Sequence, residues 1–242
     1  MLYTPMDQFE IRNIFFGVFT NISLYILIVV YLVFSFYYWG STINLVKING
    51  WSITTESIYF TIYNMVSRQM GTIIGLFFFT FIFTLFIYIL FSNLVGLVPY
   101  SFATTAHLAT TLSLSFTIWY GVSFLGLVLH HLGFFAFFCP LGTPLALVPL
   151  LAAIELISYI AKGLSLGIRL GANLISGHLL LLILSGFGFL GLSSIRLALS
   201  GGIFALIGIS AISGLELAIA GIQSYVFSIL TSSYIKDSIL LH

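Results

Sequence analysis

Apolar residues fill long stretches of this chain, and polar residues interrupt them at only a few places. Residues 13–39 form the first stretch and contain no charged side chain. At about 1.5 Å per helical residue, that stretch is long enough to cross roughly 30 Å of hydrocarbon. Residues 72–129 hold two more apolar stretches, separated by a segment with Asn93, Gly96 and Pro99. The pattern therefore predicts one spanning helix followed by a helical hairpin.

Residues 52–68 follow a different pattern, because their apolar and polar positions fall on different faces of one helix. The two faces are Ile58, Ile62, Met65 and Val66 against Thr61, Asn64 and Arg68. A helix with one apolar and one polar face is typical of the membrane surface. We therefore predict an amphipathic surface helix at this place.

The last part of the chain contains two proline-free apolar stretches that are longer than a bilayer requires. Residues 150–184 and 202–234 would each form a helix of roughly 50 Å, and residues 186–194 are the expected turn between them. An irregular entry precedes the first of them, with prolines at Pro140, Pro144 and Pro149. Because excess length is taken up by tilting or kinking, we expect both helices to be strongly tilted.

The amino-acid composition indicates the class of protein. Only 5% of the 242 residues are charged and 60% are hydrophobic, whereas about a quarter of a soluble domain is charged. The net charge of +1 offers no basic surface for nucleic acid, and the single Cys139 permits no internal disulfide. We expect an all-α integral membrane protein, one membrane domain over residues 1–242, with about five membrane-embedded helices and one surface helix.

Besides Lys162, the two long stretches contain three charged residues: Glu155, Arg169 and Glu216. Each costs about 2.5–3.5 kcal/mol at the bilayer centre, so together they oppose insertion by about 10 kcal/mol unless they are paired or hydrated. A cost of that size indicates function, and the candidate function is a path for protons.

The spacing of the polar residues groups them by helical face. Glu155, Lys162 and Arg169 are seven residues apart and share a face, with Asn173 nearby. His178 points about 180° away from Arg169. On the second long stretch, Glu216 and Gln223 share a face.

Small residues recur on the same helix as the charges. Gly163, Gly167 and Gly171 are four residues apart, a spacing that lets another helix backbone approach closely. The approaching helix belongs either to a partner subunit or to this chain itself.

The run from Ser165 to His178, SLGIRLGANLISGH, resembles the signature of subunit a of the rotary F-type ATP synthase in its mitochondrial form. The resemblance extends to residues 7–11 and 93–107 and covers essentially the whole chain. It implies two steeply tilted final helices against a rotating ring of c subunits. It also implies two offset aqueous half-channels, so that proton flow drives rotation and ATP synthesis.

The same resemblance implies roles for individual residues. Arg169 would face the ring carboxylates, because a guanidinium that keeps its proton holds them ionised and blocks a direct leak. Glu155 would belong to the matrix-side half-channel, and His178 and Glu216 to the half-channel of the intermembrane space. Asn173 and Gln223 would give polar support.

Partners and location follow from the resemblance as well. It implies the c ring, the peripheral stalk and other membrane-sector subunits as partners, with contacts to lipid and protons. It implies no cofactor, no metal and no direct nucleotide binding. The implied location is the mitochondrial inner membrane, crossed several times.

Several alternative interpretations stay open from the residues alone. Glu155 and Glu216 would be structural, paired with each other or with Lys162, and Arg169 would extend toward a membrane surface. His107 would line a channel mouth, whereas His130 and His131 fit a membrane edge. Acting alone, the chain would be an ion transporter, although it shows no internal repeat. A self-contained enzyme is disfavoured because phosphate-loop, nucleophile-elbow and zinc-pair motifs are absent.

Overall fold

The computed structural model describes residues 9–15, 19–41, 50–98, 101–138, 147–193 and 198–240. Six α-helices follow one another in these ranges: α1 (Asn21–Ser41), α2 (Gly50–Met70), α3 (Thr72–Gly96), α4 (Leu108–His130), α5 (Val148–Ser193) and α6 (Ala198–Ile239). Before α1, strand β1 (Asn13–Phe15) pairs antiparallel with strand β2 (Phe19–Thr20). Short 3-10 helices cover Thr104–Ala106 and His131–Phe138. The predicted all-α class is confirmed.

Five of these helices are long and apolar enough to cross a membrane. The candidate spans are Asn21–Tyr38, Thr72–Gly96, Leu108–Phe135, Val148–Gly188 and Leu206–Ile239. Helix α2 is not among them, and both of its charged side chains, Glu56 and Arg68, are exposed. The chain is therefore a multi-pass membrane protein, while the position of α2 on the membrane surface stays a prediction.

The first spanning helix begins at Asn21 and not at residue 13. Thr20 and Ser23 form a reciprocal cap at its start, in which the Ser23 amide donates to Thr20 Oγ1 (3.4 Å) and the Thr20 amide donates to Ser23 Oγ (3.1 Å). A cap of this kind satisfies amides that a helix start leaves unpaired. The expectation of a helix from residue 13 was wrong because hydropathy alone does not register this polar signal.

Helix α3 ends at Gly96, within the region of Asn93, Gly96 and Pro99 that was expected to close it. Ser92 and Asn93 are both buried within it, and each has a polar partner. The hydroxyls of Ser92 and Thr104 lie 3.0 Å apart, and Asn93 Nδ2 donates to the carbonyl of Ala220 (3.4 Å). These contacts offset part of the cost of burying Ser92 and Asn93, and the helix continues through both residues to Gly96.

The last two helices are longer than the pattern predicted. Helix α5 has 46 residues and α6 has 42, which at about 1.5 Å per residue is roughly twice the length needed to cross hydrocarbon. A turn was expected at residues 186–194. For residues 186–193 this expectation was wrong, because α5 continues through Gly186 to Ser193. A glycine inside a helix costs only about 1 kcal/mol relative to alanine, too little to end a long apolar helix. Ser194 lies outside the described residues.

Pro149 fits the start of α5, where it is the second residue of the helix. A proline is tolerated there because its missing amide would have no partner in the first turn. Pro140 and Pro144, which were expected to make the entry irregular, lie outside the described residues.

The chain divides into two compact units. The first contains Met1–Tyr38, Ile87–Leu108 and Leu170–Tyr225, and the second contains Trp39–Phe86, Ala109–Arg169 and Val226–His242. Each of the long helices, α5 and α6, contributes one part to each unit.

In the second unit, the small residues of α5 pack closely against α4. A Cβ at Gly163 would lie 2.9 Å from the ring of Trp119, and a Cβ at Gly167 would lie 2.6 Å from Ser115 Oγ. Ser115 Oγ donates to the carbonyl of Gly163 (2.9 Å), and Trp119 Nε1 donates to the carbonyl of Tyr159 (3.0 Å). Of the two interpretations of this glycine spacing, packing within the chain therefore holds for Gly163 and Gly167.

We predict that Gly167→Ala destabilises the chain by about 1–3 kcal/mol, the usual cost of overpacking. The new methyl group would also approach the carbonyl oxygen of Thr111 to 2.9 Å, and backbone cannot move aside as a side chain can. The measurement is the unfolding midpoint of the purified chain in mixed micelles as the fraction of denaturing detergent rises. Gly121→Ala on α4 is the matched control, because nothing lies within 4 Å of that site. Equal midpoints for the two variants would contradict the prediction.

Candidate functional site

Arg169 is exposed on α5, inside a candidate membrane span. Its Nη2 donates to Ser165 Oγ at 3.5 Å, one turn earlier on the same helix. Among the described residues the only ion pair within 4.0 Å joins Glu10 and Arg12, both of them exposed. The guanidinium therefore has no carboxylate partner within the part of the chain that the structure describes.

Glu216 occupies a tight position on α6. Its side chain is only 7% exposed, and it packs against Gly177 of α5, where any Cβ would collide with the Glu216 carboxyl group. A larger residue at position 177 would therefore require the Glu216 side chain to shift. No described protein atom hydrogen-bonds the buried Glu216 Oε1.

A cavity of about 260 Å³ lies beside Glu216. Helices α5 and α6 line it between them, with Asn173, Leu174, Ser176, Gly177 and Leu180 from the first and Ile212, Leu215, Glu216 and Ile219 from the second. A cavity needs only about 10–15 Å³ to hold one water molecule. This one has room for several, next to a carboxyl group and an amide.

A hydrogen bond joins the two helices close to this cavity. Asn173 Nδ2 donates to Gln223 Oε1 at 3.2 Å, and Gln223 is buried whereas Asn173 is exposed. The structure thus brings together three of the expected site residues: Asn173, Glu216 and Gln223.

His178 is not in the lining of that cavity, although it was expected to act with Glu216. It is half-buried, and its ring lies edge-on to the ring of Phe9, with centroids 6.3 Å apart. No described protein atom hydrogen-bonds its buried Nε2. The ring of Phe9 also lies edge-on to His107, at 6.4 Å. Phe9 therefore contacts both histidines. The hydropathy pattern gave no indication of this arrangement.

The second unit holds a separate group of ionisable side chains. Glu155 is half-buried on α5 and forms no ion pair with a described residue, Lys162 included. A small cavity of about 10 Å³ lies between α5 and α6 and is lined by Phe134, Tyr159, Lys162, Tyr234, Asp237 and Ser238. Sequence reasoning missed Asp237, although it lies 21 residues, or three heptads, after Glu216 on the same helix.

The edge histidines have structural contacts. His130 ends α4, and its Nε2 lies 3.1 Å from the carbonyl of Ile239 at the end of α6. His131 follows with a positive φ of 51°, a backbone conformation rare outside glycine.

Across the described residues, no group of three His, Cys, Asp or Glu is placed to hold a metal ion.

These features define a class of protein: a multi-pass membrane protein whose two longest helices carry ionisable side chains and line a cavity with room for several water molecules. The family model described as the ATP synthase A chain matches residues 22–236. ATP synthase subunit a of Emericella nidulans is 47% identical over 251 residues, covering 100% of this chain and 98% of the relative. The subunit of Candida parapsilosis is 47% identical over 249 residues with full coverage of both. That of Neurospora crassa is 46% identical over 248 residues, covering 99% and 95%.

The chain belongs to the ATP synthase subunit a family. It is a proton-translocating subunit of the membrane sector of the synthase complex, and it is not a catalytic subunit. The family that the sequence motifs indicated is confirmed.

We predict that His107 binds its proton more weakly than a free imidazole. His107 lies outside the candidate spans, just before α4, and burial lowers its pKa from the ordinary value of 6.5 because the charged form loses hydration. At pH 6.5, where an exposed histidine is half-protonated, less than half of His107 should therefore be protonated, and protonation should cost the folded state stability as the pH falls further. Nitrogen NMR of histidine-labelled protein in bilayers measures this. A resonance absent from His107→Gln that titrates at or above 6.5 would contradict the prediction.

Proposed function

We propose that this chain is the stator subunit that passes protons to and from a rotating ring of c subunits through two offset half-channels. Arg169 faces the ring carboxylates and separates the two half-channels. The ring is the partner on that face, and the peripheral stalk and other membrane-sector subunits bind elsewhere. The complex lies in the mitochondrial inner membrane, as the sequence resemblance implies.

The observation that carries this proposal is the position of Arg169. A guanidinium stays charged at any physiological pH, and within hydrocarbon it costs about 2.5–3.5 kcal/mol or more if nothing compensates it. It is exposed and lacks a carboxylate partner among the described residues. A carboxylate from a neighbouring subunit would supply the missing partner, and a rotor that presents such groups in turn would use the cation at every step.

Glu216, Asn173 and Gln223 form part of the half-channel on the side of the intermembrane space. The cavity beside Glu216 supports this role, because it has space for water next to an acid that can take up and release a proton. The hydrogen bond between Asn173 and Gln223 orients polar groups at the edge of that space. His178 belongs to the same half-channel, through a route that does not require it to line the cavity.

Glu155 belongs to the matrix-side half-channel. Its half-buried position on α5 and its lack of an ion pair with Lys162 support a titratable acid over a structural one. The length of α5 and α6 supports a strongly tilted arrangement, because helices roughly twice the bilayer thickness cannot stand upright in it. Tilted helices present one long face to a ring.

Arg169→Ala should abolish coupled ATP synthesis and ATP-driven proton pumping while the complex still assembles. Without the fixed cation, ring carboxylates lose the charge that keeps them ionised, and protons pass between the half-channels without rotation. Proton uptake into inverted vesicles, normalised to the amount of assembled complex, measures the effect. Arg68→Ala, which removes an exposed arginine of α2 outside the candidate spans, is the matched control. Normal pumping in Arg169→Ala would refute the assignment.

Glu216→Gln should slow proton flux by about a hundredfold, the lower limit typical of a positioned proton-transfer group. The amide keeps the shape of the acid but cannot exchange a proton at the pH of the assay. Flux through the complex is measured over a range of pH, and Glu56→Gln on α2 serves as the control because Glu56 is exposed outside the spans. An unchanged rate and an unchanged pH profile would rule out the channel role.

A further inference from the structure

The ring of Phe9 makes contact with two histidines that come from different parts of the first unit. Its centroid lies 6.4 Å from that of His107, with an angle of 89° between the planes, and 6.3 Å from that of His178, with an angle of 83°. His107 precedes α4, and His178 lies on α5. Both imidazoles are therefore set nearly perpendicular to one phenyl ring.

Phe9 is itself held in place from two directions. It packs with Ile175 against a buried cluster of Ala103, Ala106 and Leu174, so that the segment before α4 and helix α5 both contact it. His107 is fixed on its other side by Phe102, whose ring stacks on it at 4.9 Å.

The chain around Phe9 is fastened to the start of α1. Asn21 Nδ2 donates to the carbonyl of Glu10 (2.9 Å), and Asn21 Oδ1 accepts from the amide of Arg12 (3.2 Å). The amide of Asn21 donates to the carbonyl of Arg12 at 3.1 Å. These hydrogen bonds tie residues 10–12 to the start of α1. They therefore restrict the position of the neighbouring Phe9 ring.

A phenyl ring is suited to orient an imidazole without engaging its nitrogens. Edge-to-face contact favours a definite angle between ring planes, whereas phenylalanine has no donor or acceptor that would occupy Nδ1 or Nε2. Proton transfer demands that an imidazole nitrogen lie within hydrogen-bond reach of its partner. A contact that fixes the plane and itself occupies neither nitrogen meets that demand.

We propose that Phe9 is a positioning residue for proton translocation, which orients the imidazoles of His107 and His178 so that both belong to one proton path. The inference rests on the proposed function, because it presumes that protons pass by His178. It adds His107 to the path and gives the segment before α1 a direct part in transport.

The test compares proton flux through the assembled complex for three substitutions of Phe9. Phe9→Leu keeps an apolar side chain but loses the ring. It should lower flux by about two- to tenfold, which is the energy of one aromatic contact expressed as a change in rate. Phe9→Tyr keeps the ring and should retain most of the flux. If Phe9→Leu does not assemble, Phe9→Met is the second non-aromatic variant and should show the same loss.

A matched control separates orientation from general packing. Phe36 is a buried phenylalanine of the same unit, with its centroid 5.8 Å from that of Phe91. Phe36→Leu removes the same ring from an aromatic contact and should leave flux unchanged. Equal flux in Phe9→Leu and wild type, or equal losses in Phe9→Leu and Phe9→Tyr, would overturn the proposal.

A double substitution tests whether Phe9 acts through the histidine. In a His178→Gln background, Phe9→Leu should cause little further loss, because residues that act through one another are not additive. A full additional loss in that background would show that Phe9 acts elsewhere and overturn the inference. If Glu216→Gln slows flux while Phe9→Leu does not, this inference fails and the proposed function stands. If neither slows flux, the proposed function fails as well.

Discussion

A permanent positive charge on a helix that crosses hydrocarbon is the constraint on which the rest of this structure depends. Arg169 cannot shed its proton, and it has no carboxylate partner in the described part of the chain. Its cost in the membrane, about 2.5–3.5 kcal/mol on insertion scales, is tolerable only where a second subunit or water compensates it. The family supplies the setting for such compensation, since the chain is a subunit of a membrane complex that moves protons.

Helix α5 carries small residues at two places, and they serve different purposes. In the second unit Gly163 and Gly167 let α4 approach, and hydrogen bonds from Ser115 and Trp119 hold the two helices together. In the first unit Gly177 makes room for the Glu216 carboxyl group. Ser115 and Trp119 thus have hydrogen-bond partners on α5, and the Glu216 carboxyl group adjoins a cavity, which lowers the cost of burying these side chains.

Much of this could be predicted from the sequence. Helix existence followed from long apolar stretches, and the family followed from the run around Arg169, because local patterns determine both. Helix boundaries failed where short polar signals decided them, as at Thr20 and Ser23, or where glycines such as Gly186 did not end a helix after all. The contacts of Phe9 with His107 and His178 were out of reach, because they join residues about 100 and 170 positions apart by folding and no local pattern encodes them.

The most direct measurement of the central claim is an electron-microscopy map of the native assembly at side-chain resolution. It should place the Arg169 guanidinium at the level of the hydrocarbon, facing the carboxylates of a neighbouring ring of subunits. A guanidinium turned toward bulk water, or buried away from any second subunit, would contradict the claim.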